Sequence, residues 1–395
     1  MREILILLTT AIVLNACSGS DTAQTELSPD VENFVVSDSP SEAPNLFTDI
    51  SGNTFLSWTT TRGEIAQLRY TRYLGNKQWS EIQTIAEGAD WFVNWADFPS
   101  LVTSQGEIIF AHYLQKTDPG TYNYDIYLRR SADGGISWST PFTLNEDGVP
   151  AEHGFVSMVP SGTDVFISWL DGRNTTGSHG EGAMTLRAAI LGSDGTRKGE
   201  WELDNRVCDC CQTAAAITAR GPVVVYRDRS ENEFRDMAIV RFVNNKWTDP
   251  VLIYRDGWMV EGCPVNGPQI SALENTVAIA WFTAANDKPE VKLIFSNDGG
   301  QSFNAPVRIN ENSPIGRVDI ELIDSTRAFV TWMEGAAIRG AIVTADGYVQ
   351  SRYLIASSSE SRSSGFPRIT RRAEEIIIAW TDPDDNVIRS AFIPL

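Results

Sequence analysis

Seven times along the chain an apolar run ends in a large residue and gives way to a polar loop. These residues are Trp58, His112, Trp169, Tyr226, Trp281, Trp332 and Trp380, spaced 54, 57, 57, 55, 51 and 48 apart. The runs read FLSW, IFAH, FISW, VVVY, AIAW, FVTW and IIAW. A repeat of about 40–60 residues holding several short strands predicts propeller blades. Unit five reads as four strands, QISAL, TVAIAW, VKLIFS and APVRI. The last unit has three, PRITRR, EIIIAW and VIRSAFI. NFVVSD (33–38) supplies its fourth by pairing the two ends of the chain, which removes exposed edges. The expectation is an all-β chain forming a single β-propeller over 44–395. Seven four-stranded blades is the expected count, with six if the weakest unit is not a blade.

The first residues, MREILILLTTAIVLNAC, have the charged start and short apolar stretch of an export signal. LNAC (Leu14 to Cys17) resembles a bacterial lipobox. That resemblance implies a signal over 1–16, cleavage before Cys17 and lipidation of its thiol; an ordinary signal peptide with an incidental Cys is the alternative. Residues 17–43 then form a lipidated tether and the closing strand. Ser18 after the Cys favours the outer membrane, on its periplasmic or surface face, if the host is Gram-negative. Net charge is −19, which provides no basic stripe for nucleic acid and none for anionic lipid. The membrane is reached through the anchor alone, and a monomer is expected.

SADGGISW (Ser131 to Trp138) and SNDGGQSF (Ser296 to Phe303) fit the pattern S-x-D-x-G-x-[ST]-[WF], the Asp-box. Asp133 and Asp298 suit turn-building rather than catalysis, because each carboxylate can accept the N–H groups of its own turn. On this repeat the chain resembles the sialidase superfamily of Asp-box (BNR) propellers. The family's Arg-Ile-Pro motif is absent, with PNLFTD (44–49) in its place, and seven units exceed the family's six.

Loops joining successive units, and those inside each unit after the repeated aromatic, gather at one end of a propeller's channel, where ligands bind. The resemblance implies an arginine cluster on a sugar carboxylate, a Tyr–Glu nucleophile and an Asp acid. Candidates for the carboxylate are Arg173, Arg227, Arg229, Arg235, Arg317 and Arg368. Tyr124, with Tyr122 or Tyr226 as alternatives, is the candidate nucleophile, Glu233 the glutamate, and Asp97 or Asp171 the acid. Trp91 and Trp95 would stack on sugar rings, with Asn94 and Lys116 beside them. The alternative for the arginines is a set of Arg–Asp pairs tying loops together, which YRDRSENEFRD (226–236) fits equally well. The first functional expectation is thus a sialidase-like propeller that binds, and as a glycoside hydrolase cleaves, an anionic or polyhydroxylated glycan or another polar small molecule.

The cysteines are the sharpest local anomaly. CDCC (Cys208, Cys210, Cys211) opens unit four and GCPVNGP (Cys263) opens unit five. Adjacent blades bring these loops together. In an exported chain structural disulfides are favoured. The alternative is a thiolate site for copper or zinc, or a redox centre, with His153 on the preceding loop. His112, His153 and His179 all fall in or beside these loops, and His153 is the first candidate for proton transfer or ligation. A non-catalytic interaction scaffold is the remaining expectation.

Overall fold

The computed structural model describes Ser28, residues 31–175 and residues 182–395. Cys17, the export segment and His179 lie outside these residues. The chain forms seven antiparallel sheets, each of four strands or, with one strand split, five. The innermost strands are Ser41–Thr48, Ser100–Thr103, His153–Ser161, Ala214–Thr218, Gln269–Leu273, Pro314–Asp324 and Arg368–Arg372. Each packs on the next, and the last packs on the first, so the sheets close a ring. This is a seven-bladed β-propeller, and the six-blade count is excluded.

Closure follows the expected route. Glu32–Val35 pairs antiparallel with Val387–Pro394, Glu32 opposite Phe392 and Val35 opposite Arg389. Phe34 meets Phe392 edge-on at 5.8 Å. Leu46, Leu56, Trp58 and Tyr73 of the first blade pack against Ile377, Ala379, Ile388 and Phe392 of the seventh.

The repeated aromatics lie on the second strand of each blade. That strand is covered by the neighbouring blades on both faces, so its sequence is a continuous apolar run rather than an alternation. All seven repeat residues are buried. His112 belongs to this core. Its Nδ1 accepts from the Ser100 amide at 3.2 Å, and burial drives its pKa down to about 3. The ring is therefore neutral and structural.

Both Asp-box-like turns lie between third and fourth strands. Asp133 accepts from the Ser131 hydroxyl at 2.8 Å and the Ser137 amide at 2.9 Å; Asp298 does the same with Ser296 and Ser302 at 2.7 and 2.9 Å. These bonds hold each carboxyl down to about 2.

Candidate functional site: a four-cysteine rim

The loop 205–213 leaves the outer strand of the third blade and enters the fourth. Val207 bridges Asp228, and the Cys208 amide donates to the Arg227 carbonyl at 3.0 Å. This lays the cysteines over the end of Gly221–Arg227. The sulfurs of Cys208, Cys210 and Cys211 all lie within 4.8 Å of one another, and those of Cys208 and Cys211 are 2.6 Å apart. Cys263 comes from the next inter-blade loop and lies on the Cys210 side of the cluster, outside the group of three sulfurs. Cys208 and Cys211 are buried, Cys210 is half-buried and Cys263 is exposed; all four are free thiols.

Two side chains staple these loops. Arg227 donates to the Asn266 carbonyl from Nε at 2.9 Å and from Nη2 at 2.7 Å. Gln212 Oε1 accepts from the Gly267 amide at 2.9 Å, while its Nε2 reaches the Ala96 carbonyl at 2.6 Å. A Cβ on Gly267 would sit 2.1 Å from the Gln212 carbonyl oxygen, so this approach needs glycine. Val265 is forced to φ 48°, a strained conformation for a β-branched residue that only a firmly held loop sustains.

Arg227 is 2% exposed, and among the described residues it pairs with no carboxylate. Its charge acts on Cys208. Burial opposes ionisation of that thiol, but the Cys210 and Cys211 S–H groups and Arg227 hold it well below the usual thiol range. Cys210 is pushed up, chiefly by its bond to Cys208, and Cys211 is pushed up chiefly by burial. Cys208 is therefore the member of the cluster that ionises most readily, and Cys211 is its close sulfur neighbour.

The neighbouring arginines are not aimed at one spot. Arg229 grips Asp209 at 2.8 and 2.9 Å and Glu233 at 3.0–3.2 Å, and Arg235 holds Glu233 at 2.7 Å. Arg317 donates to Ser364 and to the carbonyls of Gly365 and Ser361, and stacks on Trp95 at 5.0 Å. Arg368 faces Asp319 at 3.2 Å in the central channel. Trp91 stacks on Tyr113 at 4.2 Å and, with Lys116, lines a separate surface pocket; Asn94 caps the Ala96 amide at 2.8 Å.

A second group adjoins the cysteines. The Tyr124 hydroxyl donates between Glu152 Oε1 at 2.9 Å and Asp97 Oδ2 at 3.1 Å. Burial raises Asp97 to about 7 and Glu152 to about 8, and the charges of Asp97 and Asp209 add to the rise at Glu152. Gly154 is required beside them, since a Cβ there would meet Asp97 Oδ2 at 1.9 Å. Glu152 and Gln212 were not singled out from sequence. Glu152 stands beside His153 in the loop PAEHGF, which was the available signal.

His153 lies in a third group. Asp147, His153 and Asp171 gather ligand atoms within 4.8 Å of one another, as a metal site would. The group is already filled. Arg173 binds Asp171 at 2.7 Å through both Nε and Nη2 and reaches Asp147 at 3.1 Å. His153 Nδ1 contacts the Tyr124 carbonyl at 3.1 Å and Nε2 contacts Asp147 at 3.0 Å. Burial alone would lower the His153 pKa, yet Asp125, Asp171 and Asp147 hold it above its ordinary value. Both of its partners are acceptors, so each ring nitrogen is occupied as a donor in this arrangement.

No protein-family model matches the chain, and no curated protein does. Among solved structures, the polysaccharide lyase Uly1 superposes with a TM-score of 0.54 at 9% identity, over 90% of each chain. An inactive virginiamycin B lyase from Staphylococcus aureus, with quinupristin, superposes at 0.51 with 12% identity, over 92% of this chain and 99% of that one. A Hadza microbial sialidase gives 0.45 at 12% identity; the chain covers 66% of its length. At these identities the likeness is one of fold. The chain shares its β-propeller fold with the two lyases.

Proposed function

We propose that this protein holds one thiophilic metal ion, copper(I) or zinc, at the rim of the propeller channel. The observation that carries the reading is the convergence of three cysteine sulfurs, with Cys263 on the neighbouring loop of the adjacent blade. Thiolates select soft or borderline ions, and the buried Arg227 offsets the negative charge such a site carries. The lipobox-like segment would keep the site in the cell envelope. The test uses reduced, metal-free protein titrated with each ion while bound metal and reactive thiols are counted. One ion per chain, shielding at least three thiols and lost in Cys208→Ser/Cys211→Ser, is expected. Four reactive thiols and no bound metal would overturn the reading.

A second reading rests on Tyr124. A phenol held between two carboxyls whose pKa values are raised to about 7 and about 8 can exchange protons with a substrate. Together with the fold shared with Uly1, this supports action on a glycan at the same face. Tyr124 is fully buried, so the adjoining loops would have to open, which places this reading second. Turnover of an acidic polysaccharide by the wild type and its loss in Tyr124→Phe would establish it; no turnover across a broad panel would remove it.

A further inference from the structure

The four thiols differ in place, and the difference discriminates between the two metals. Cys208, Cys210 and Cys211 come from one four-residue segment and face one another. Cys208 is 1% exposed and Cys211 2%, whereas Cys263 is exposed and belongs to another loop, which Gln212 and Arg227 tie beside the set. We infer that the ion is copper(I), held by Cys208, Cys210 and Cys211, and that Cys263 is the exchange ligand through which it arrives and leaves. This inference rests on the proposed metal-binding reading and gives it a metal and a route.

A closed zinc centre takes four ligands in a tetrahedron. Here the fourth would have to come from Cys263, from water, or from a nearby oxygen or nitrogen. Two such candidates, Asp209 and His153, are already engaged. Asp209, between the cysteines in sequence, is gripped by both contacts of Arg229. His153 is engaged at both ring nitrogens, by the Tyr124 carbonyl and Asp147. The set already gathered is three sulfurs, largely enclosed, with one more thiol outside. Copper(I) accepts three thiolates in a plane and is among the ions that thiolates favour.

The rim geometry fits exchange. The Cys263 loop is anchored on its far side, where Arg227 holds Asn266 and Gln212 holds Gly267. Pro264 and the strained Val265 set the direction of the chain between those anchors and Cys263. The Cys263 loop is thus held beside the cluster with its thiol open to solvent. An incoming ion can bind Cys263 first, pass to Cys210, and settle on the enclosed pair; departure reverses the order. Each Cu–S bond that forms to a thiol releases its proton to water and displaces one of the ion's previous ligands, departure takes the protons back, and copper stays in the +1 state throughout.

The experiment titrates reduced, metal-free protein with copper(I) against bathocuproine disulfonate, and with zinc against a chromophoric zinc chelator. Wild type, Cys263→Ser and Cys211→Ser are compared, with Cys263→Ala as a second rim variant and circular dichroism to verify folding. Copper(I) is expected to bind one per chain and to outcompete zinc. Cys263→Ser should keep copper(I) affinity to within about threefold, while its exchange with the chelator slows by about tenfold or more. Cys211→Ser should lose more than the roughly 10–100-fold that changes around a metal's ligands cost. Zinc preference, with Cys263→Ser as damaging as Cys211→Ser, would indicate a four-thiolate zinc centre; that overturns the copper inference and leaves the metal reading standing. An unchanged exchange rate in both rim variants would overturn the role of Cys263. Binding of neither ion would overturn the metal reading itself.

Discussion

The Arg227 guanidinium donates to the backbone carbonyls of Arg235, Asn266 and Phe282 and stacks on Trp258 at 4.7 Å. Arg227→Met keeps the apolar bulk and leaves those buried carbonyls bare. It should cost about 3 kcal/mol, read as a lower denaturant midpoint at unchanged slope. In sequence this arginine resembles an anion-binding group. Its real partners are loop carbonyls, and no pattern of residue types shows which carbonyls a loop leaves unpaired. Glu152 makes a pH prediction. Its folded pKa is raised from 4.5 to about 8, so the folded chain keeps a proton there that the unfolded chain loses. The stabilisation is complete below 4.5 and is lost as pH rises through about 8. Glu152→Gln should therefore match wild type in acid and exceed it in thermal stability above that pH, by about 3 kcal/mol given its partial exposure. His153 acts in the same direction over a higher window. With its pKa raised above 6.5, its contribution is complete below that value and disappears as pH rises through the folded one. His153→Gln should flatten the part of the melting-temperature profile above 6.5 and leave the remaining slope, which Glu152 and Asp97 supply.

The strand Glu32–Val35 is the element on which closure depends, since without it Val387–Pro394 becomes an open edge. Removing the residues before Val36 should lower the melting temperature and give concentration-dependent association by light scattering. A truncated chain that stays monomeric with an unchanged melting temperature would show that the seventh blade closes by other means. The turn at Asp298 is a local device. Asp298→Ala should cost about 1 kcal/mol and leave metal binding unchanged, since the turn lies at the opposite end of the sheets from the thiols. Elements of this kind were legible in the sequence because their signals are local: an apolar run for a strand covered on both faces, and Ser, Asp and Gly at fixed offsets for a turn. The staples between blades were not legible. Gln212 joins Ala96, Gly267 and its own loop, residues distant along the chain that only the closed ring brings together.

At the scale of the whole molecule, the ring places the Cys263 loop beside the loop that carries the other three cysteines. The sequence shows that the loops belong to adjacent blades; the enclosure of three sulfurs and the exposure of the fourth emerge from packing. A net charge of −19 draws cations toward this rim and opposes an acidic glycan there, which agrees with the order of the two functional readings. On the proposed metal reading, saturating metal should raise the melting temperature of the wild type and not of the Cys208→Ser/Cys211→Ser variant. The most direct test is X-ray absorption at the metal edge of protein loaded with one equivalent. The account predicts a first shell of sulfur alone, about three scatterers near 2.3 Å, with no nitrogen or oxygen contribution. A shell dominated by nitrogen and oxygen would place the ion at the Asp147–His153–Asp171 group or elsewhere, and would contradict a thiolate centre.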